Sequence, residues 1–205
     1  MKFNQTLMAI ACIATLTACE KENNDDASYL INTETSVVEW KGVASDHFHT
    51  GAFEVTGNLQ TQSGIVSAGN FIIPISSIKN YDLPDPAKTE LLNHLKSPDF
   101  FNVALHPNAE FKLKTAKALD KADTLTTAGY NYRITGDFSM IGQTHEISFP
   151  AKITITQDSL FTTAAFKINR LTWGMTSYND PSKPLYLLPD VELKLNVKAA
   201  VVLKD

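Results

Sequence analysis

Two closely spaced histidines are the first side chains in the sequence with the potential for chemistry. His47 and His49 are two residues apart, so on a β-strand both imidazoles lie on the same face. Imidazole is a common zinc ligand, but a zinc site needs three or four ligands. His94 or His145 would have to complete the site, and nothing in the sequence brings either of them to the pair. We therefore predict hydrogen-bonded or exposed histidines, with no metal ion and no cofactor.

Enzymatic chemistry finds little support elsewhere in the chain. The sequence contains no Gly-x-Ser-x-Gly, no His-Glu-x-x-His and no P-loop motif. Asp99 follows Pro98, a position typical of a turn or a helix cap. Asn169-Arg170 is expected to pair with a carboxylate inside the fold, either Asp99 or Asp137. We predict no catalytic residue, and a metal-dependent small-molecule enzyme is the least favoured function.

The N-terminal residues indicate chemistry of another kind, the attachment of lipid to a cysteine. Lys2 precedes the apolar run 7–16, which is about half of the roughly 20 residues that span a bilayer. This is the layout of a secretory signal, and Leu16-Thr17-Ala18-Cys19 resembles the lipobox of bacterial lipoproteins. The resemblance implies removal of a signal peptide, residues 1–18, and lipidation of Cys19. A plain signal peptide followed by a chance cysteine is the alternative.

A lipid-anchored protein of this kind is expected in the cell envelope. The outer membrane is the favoured membrane, with the protein on its periplasmic or surface face. The acyl chains would hold it firmly, because each buried methylene contributes about 0.8 kcal/mol. The polar run 20–28 favours a flexible tether over residues 19–32, followed by a single domain over residues 33–205.

Length, charge and cysteine content narrow the possible functions. Removal of 18 of the 205 residues leaves 187, enough for one domain with a real core. The formal net charge is -4, and Lys and Arg form no cluster, which argues against nucleic-acid binding through a basic face. Cys12 leaves with the signal peptide and Cys19 is the lipid site, so the domain contains no disulfide.

From Ser36 onward, apolar and polar residues alternate along most of the chain. Strict alternation places one row of side chains on a buried face and the other in water, which is typical of antiparallel strands. About eight runs show the pattern, near residues 36–45, 50–61, 65–77, 109–118, 125–140, 143–157, 160–171 and 190–203. Eight such strands can close into a barrel. The predicted fold class is therefore all-β, with a two-sheet sandwich as the alternative.

One segment departs from the alternation. Residues 85–96 place Leu91, Leu92 and Leu95 at helical spacing, with a proline near the start of the segment and another beyond its end. We therefore predict one short helix near 86–96, inserted between strands and positioned to cap one end of the barrel.

Three segments carry a family resemblance. Residues 91–111, LLNHLKSPDFFNVALHPNAEF, resemble the YceI-family pattern H-L-x-S-x-D-F-F-D-V-x-x-x-P-x-x-x-F, with Asn102 in place of its second Asp. Residues 134–144 resemble the family's V-x-G-D-L-T-I-x-G-x-T hairpin, and residues 166–175 its F-x-I-N-R-x-x-x-G segment. The three segments occur in the family order, and the similar strand pattern covers roughly residues 33–203.

The resemblance implies a lipocalin-like antiparallel barrel around a long apolar tunnel that holds a polyisoprenoid chain, often a quinone, without catalysis. Candidate tunnel residues lie on the alternating rows of the strands. They are Phe71, Ile73, Phe138, Met140, Phe149, Ile153, Phe166 and Ile168. Phe100, Phe101 and Trp173 are expected to pack at a barrel end, and a gate for the ligand is their alternative role. The loop 177–188 is expected to border the mouth.

The expected function is non-covalent sequestration or carriage of an isoprenoid or quinone-like lipid. Alternation alone favours a barrel whose core is filled by its own side chains, and only the family resemblance favours the tunnel. A filled barrel displayed on the membrane for a protein partner is therefore the alternative function. The sequence predicts no oligomeric state.

Overall fold

The structure is a computed structural model and describes residues 26–202. The predicted signal peptide 1–18, Cys19 and tether residues 19–25 lie outside the described residues. The strands are β1 (Ala27–Ile31), β2 (Val37–Val43), β3 (Phe48–Glu54), β4 (Thr56–Gln62), β5 (Ile65–Pro74), β6 (Lys79–Asn80), β7 (Asn108–Ala118), β8 (Tyr132–Met140), β9 (Gln143–Ile155), β10 (Ser159–Asn169) and β11 (Asp190–Val201). The helices are α1 (Ala87–Lys96), α2 (Thr124–Thr127) and two 3-10 helices, Ile75–Ser77 and Arg170–Trp173.

Eight strands form a closed antiparallel barrel, which confirms the predicted fold class. Their order around the ring is β1-β4-β5-β7-β8-β9-β10-β11, and β1 pairs with β11 to close it. Strands β7 to β11 are a meander of consecutive neighbours. Closure leaves these eight strands without an exposed edge, whereas a two-sheet sandwich would have edge strands.

Strand β1 corrects the predicted boundary between tether and domain. The polar composition of residues 20–28 extended the predicted tether to residue 32, yet Ala27–Ile31 pairs with both β4 and β11. Tyr29 and Ile31 are buried on the inner face, whereas Leu30 is 59% exposed on the outer face. A strand of five residues is too short to be predicted from its own alternation. It is stabilised by hydrogen bonds to strands far from it in the sequence.

The predicted strand at 50–61 divides at Val55 into β3 and β4. Strand β4 pairs with β1 and β5, whereas β3 pairs with β2 and β6. Strand β2 in turn pairs with residues 192–196 of β11. The same edge of β11 therefore pairs with two strands. Residues 199–201 pair with β1, which leads to β4, and residues 192–196 pair with β2, which leads to β3 and β6.

The predicted strand at 125–140 is wrong over its first seven residues, because β8 begins only at Tyr132. Helix α2 precedes it, and the Asp123 side chain caps this helix by accepting a hydrogen bond from the Leu125 amide at 2.9 Å. The Asn131 side chain then bonds both the amide and the carbonyl of Ile153 at 2.7 Å. Local capping and a side-chain bridge thus replace the ladder here.

The predicted helix near 86–96 is confirmed as α1. Leu91 and Leu95 face the barrel interior, and Leu92 packs against the core. No residue of α1 is fully buried, as expected for a helix that covers an opening. Within residues 26–202, no helix combines the length and the apolar character needed to cross a membrane.

The two ends of the barrel differ. The start of β1, the Ser63–Gly64 turn and the turn between β9 and β10 lie at one end, where Leu160 and Ala199 are fully buried. We call this the closed end. Helix α1, the turn between β2 and β3 and segment 170–188 lie at the other end, which we call the open end.

Every strand of the barrel lies within the described residues, so a chain from Glu20 to Asp205 keeps the whole fold.

Strand β1 provides a test of barrel closure with a matched control. Tyr29→Ala is expected to lower the free energy of unfolding by about 3 kcal/mol, because it removes a large buried side chain from the closed end. Leu30→Ala, on the outer face of the same strand, is expected to change it by less than about 0.5 kcal/mol. Guanidinium unfolding of the Glu20–Asp205 chain measures both. Equal effects of the two substitutions would contradict the buried role of β1.

Candidate functional site

The interior of the barrel is not filled by side chains. It encloses a cavity of about 310 Å³. Phe166, Leu193 and Leu195 lie on the inner face and line this space, yet they are only partly buried. They keep accessible surface because they face a cavity and not a second layer of side chains. The filled core that alternation alone favours is therefore not what forms.

All eight predicted tunnel residues line the cavity. Their contact with a ligand stays a prediction. Sequence reasoning missed further wall residues on β2, β3, β7 and β11, although the same alternation marks the row on β11. The missed residues include Trp40, Phe53, Phe111, Leu113, Val191, Leu193, Leu195 and Val197.

Four phenyl rings form a row across the middle of the wall. Phe149 and Phe166 are stacked, with ring centroids 4.1 Å apart and planes inclined by 7°. Phe111 lies 5.8 Å from Phe149, and Phe71 lies 5.9 Å from Phe111. These contacts join strands β5, β7, β9 and β10. They present flat aromatic surface to anything that enters the cavity.

Glycines on the inner face let large rings lie along the wall. A Cβ on Gly136 would overlap the ring of Phe111. A Cβ on Gly51 would lie 2.7 Å from Cζ2 of Trp40, below any normal contact distance. The two rings occupy the space above these glycines, so that the centre of the barrel stays open. The Trp40 indole N–H is buried and has no acceptor among the described residues.

The cavity reaches the surface at the open end. The wall residues that are most exposed, His47, Tyr178, Leu185 and Leu188, all lie there. Three of them belong to the predicted mouth loop, residues 177–188, which the structure places on the cavity.

The predicted gate residues fall into two groups. Phe100 and Phe101 line the cavity, and the Phe100 ring is nearly parallel to that of Tyr178 at 6.2 Å. Trp173 does not line the cavity. It is buried, and its Nε1 donates to the carbonyl of Phe138 at 3.0 Å. Trp173 therefore packs within the fold, as the first of its two predicted roles has it, and does not lie at the mouth as a gate residue would.

The side chain of Arg170 binds the backbone carbonyls of the mouth loop. The guanidinium is 3% exposed, and it donates from Nε to Leu188 O at 3.2 Å and from Nη2 to Leu187 O at 2.8 Å. From Nη1 it donates to the carbonyls of Met175 and Ser177. Burial lowers the pKa of Arg170 from its usual value, but an arginine remains protonated at neutral pH.

The predicted pairing of Arg170 with a carboxylate is wrong. Asp137 lies 2.6 Å from Lys114 Nζ, and Asp99 bonds His94 instead. Four backbone carbonyls of a loop satisfy the guanidinium in their place. Carbonyl acceptors leave no signal in side-chain composition, so sequence reasoning had no means of finding them.

Three histidines at the open end are each paired with an aspartate. His47 Nδ1 lies 2.6 Å from Asp46, His49 Nδ1 lies 2.7 Å from Asp82, and His94 Nε2 lies 3.0 Å from Asp99. The rings of His47 and His49 are 4.9 Å apart. All three imidazoles line the cavity near its mouth.

Asp82 is the most strongly bonded of these aspartates. Partial burial raises the pKa of its carboxyl, but hydrogen bonds from His49, the Thr50 amide and Asn80 outweigh this effect, so the pKa lies below 3.8. Asp82 is therefore ionised at neutral pH, and its negative charge orients the His49 ring.

His145, a further candidate metal ligand in the sequence, does not join these three histidines. His145 packs against Trp173, with ring centroids 5.3 Å apart, and does not line the cavity. Within residues 26–202, no group of three or more His, Cys, Asp or Glu side chains has an arrangement that could hold a metal ion.

The family model described as YceI-like domain matches residues 29–199 of the chain. The chain belongs to the YceI-like family. None of the curated protein sequences is a significant match to this YceI-like domain.

Several solved structures share the fold of this YceI-like domain. BcnA from Burkholderia cenocepacia aligns with a TM-score of 0.66 and 15% identity, covering 82% of this chain and 98% of its own. A polyisoprenoid-binding domain from Saccharophagus degradans aligns with a TM-score of 0.62 and 10% identity, over 86% and 99%. The YceI protein of Campylobacter jejuni aligns with a TM-score of 0.57 and 19% identity, over 76% and 85%. At these identities the likeness shows the fold alone.

The two arginines of the YceI-like domain offer a matched test of the mouth. Arg170→Ala is expected to lower the free energy of unfolding by about 3 kcal/mol, because it leaves buried loop carbonyls without donors. Arg133→Ala, at an exposed position on β8, is expected to change it by less than about 0.5 kcal/mol. Urea unfolding measures the free energy, and hydrogen exchange of amides 175–188 measures the loop. Unchanged exchange in the Arg170 variant would contradict this role.

Proposed function

We propose that this protein binds a long-chain isoprenoid, a quinone or a similar amphiphilic lipid, and sequesters or carries it without catalysis. The observation that carries the proposal is an apolar cavity inside the barrel that reaches the surface at the open end. The polyisoprenoid-binding domain from Saccharophagus degradans, whose fold is similar, supports it. Binding would consist of burial of the chain against the wall.

The chemistry of the wall suits a long hydrocarbon chain. Each methylene that leaves water contributes about 0.8 kcal/mol, so that a chain of many carbons offsets the cost of ordering it. The phenyl row offers flat surface to planar double bonds, and the flexible Met140 side chain adapts to branch methyl groups. Apart from the histidines and the tyrosine at the mouth, the described wall contains three side chains with polar groups, Thr162, Trp40 and Arg170, and all its other residues are apolar or glycine.

Two phenylalanines on β10 provide the test. Phe166 lines the cavity, whereas Phe161 is 39% exposed on the outer face. Phe166→Asp is expected to abolish lipid binding, because a carboxylate in the wall would have to be desolvated when the chain enters. Phe161→Asp is expected to leave binding unchanged. Native mass spectrometry with organic extraction of the Glu20–Asp205 chain, purified from bacteria, measures the bound lipid, and circular dichroism checks the fold of each variant.

The outcomes of this test are distinct. One isoprenoid per chain in the parent and in the Phe161 variant, with none in a folded Phe166 variant, supports the proposal. A parent chain that is free of lipid, and stays free after incubation with quinones and polyprenols, contradicts it and favours a protein partner. Omission of Cys19 ensures that any lipid found is a ligand and not an anchor.

We also propose that the mature protein is anchored in the cell envelope through lipid on Cys19, with the outer membrane as the favoured membrane. The lipobox-like LTAC sequence supports this. In cells supplied with an alkyne fatty acid, the full chain is expected to incorporate the label and to fractionate with membranes. Cys19→Ser is expected to lose the label, whereas Cys12→Ser keeps it. A label that persists in the Cys19 variant would contradict the anchor.

A further inference from the structure

We propose that the cavity selects ligands whose head group is uncharged and carries a hydroxyl, and that it rejects the corresponding phosphates. This selectivity rests on the proposed function, in which the wall holds an isoprenoid chain. With the chain inside, the head group lies at the open end. Besides Arg170, four polar side chains line the cavity there: His47, His49, His94 and Tyr178.

The fixed charges at the cavity do not favour an anion. Arg170 is the only lining side chain among the described residues with a permanent charge. Four of its five N–H donors already bond backbone carbonyls, and the side chain is 3% exposed, so a phosphate cannot reach it without displacing the mouth loop. Asp180 and Lys183 in that loop have opposite charges and do not line the cavity.

The three histidines provide no net positive charge either. Each imidazole is bonded to an aspartate, so each pair has a net charge of zero or minus one, whatever the protonation state of the ring. Phosphate sites in proteins use unpaired cations or clustered backbone N–H groups. A phosphate at this mouth would instead approach three carboxylates, and each near contact of like charges costs about fivefold in affinity.

The polar atoms that remain at the mouth match a hydroxyl group. With Nδ1 of His47 and His49 bonded to carboxylates, Nε2 of each ring has no partner in residues 26–202, and neither does Nδ1 of His94. In a neutral imidazole whose other nitrogen carries the proton, the free nitrogen is an acceptor. A ligand hydroxyl can donate to it, and the Tyr178 hydroxyl, whose ring lies 5.8 Å from that of His94, can donate in return.

Thr162 supplies a matched control inside the barrel. It lines the cavity away from the mouth, on the same strand as Phe166, and it pairs with Val197 across the ladder. Its hydroxyl is one place in the described wall away from the mouth where a head group could find a hydrogen-bond partner, and the buried indole N–H of Trp40 is another. Thr162→Val removes this hydroxyl without changing the size of the side chain.

The test compares three probes with twenty carbons each: geranylgeraniol, geranylgeranyl monophosphate and the hydrocarbon phytane. Native mass spectrometry of the Glu20–Asp205 chain measures their relative affinities in competition. The alcohol is expected to bind at least about tenfold more tightly than the phosphate. His49→Leu is expected to lower binding of the alcohol by about tenfold and to leave phytane binding unchanged, whereas Thr162→Val changes neither. Asp46→Asn and Asp99→Asn together are expected to strengthen phosphate binding.

Each outcome separates this inference from the proposed function. Phosphate binding equal to or tighter than that of the alcohol overturns the selectivity, while the apolar cavity still binds the chain. Loss of alcohol binding in the Thr162 variant, and not in the His49 variant, overturns the location of the head group. Failure of all three probes to bind overturns both the selectivity and the proposed function.

Discussion

The hydrogen bonds that β1 forms with β4 and β11 at the same time are the constraint on which the rest of the structure depends. They turn a sheet with two edges into a ring, and a ring of eight strands encloses a space large enough for one row of side chains or one ligand chain. Closure also makes the two ends unequal. Beside β11 the wall contains β1 and β4 at the closed end but β2, β3 and β6 at the open end, where the exposed residues of the cavity lining lie.

Closure creates an interior, but the positions of the large side chains decide whether it is filled. Phe111 lies over Gly136 and Trp40 over Gly51, so both rings follow the wall instead of crossing the centre. A Cβ at either glycine would overlap a backbone carbonyl as well as the ring, that of Lys112 at Gly136 and that of Lys79 at Gly51. The same set of apolar residues could have formed a solid core, and the pairing of each ring with a glycine on a neighbouring strand is what leaves space for a ligand.

The open end combines a rigid loop with a restricted set of polar atoms. The guanidinium of Arg170 donates hydrogen bonds to loop carbonyls, and one ring nitrogen of each mouth histidine bonds an aspartate. The chemistry available to a ligand is therefore what these structural bonds leave over: apolar surface, imidazole acceptors and the Tyr178 hydroxyl. The side chains that stabilise the mouth are also those that line it, which is why the mouth is polar without being cationic.

The sequence by itself determined the all-β class, the helix at 87–96, the family and the inward row that contains Phe71, Phe138, Phe149 and Phe166, because alternation and short motifs are local properties. Only the tertiary structure decided that β1 belongs to the barrel, that Val55 divides one predicted strand into two, and that Trp173 packs away from the cavity. The partners of Arg170 and of His49 also depended on it. These features rest on contacts between residues far apart in the chain or on backbone carbonyls, and neither leaves a pattern in the order of side chains.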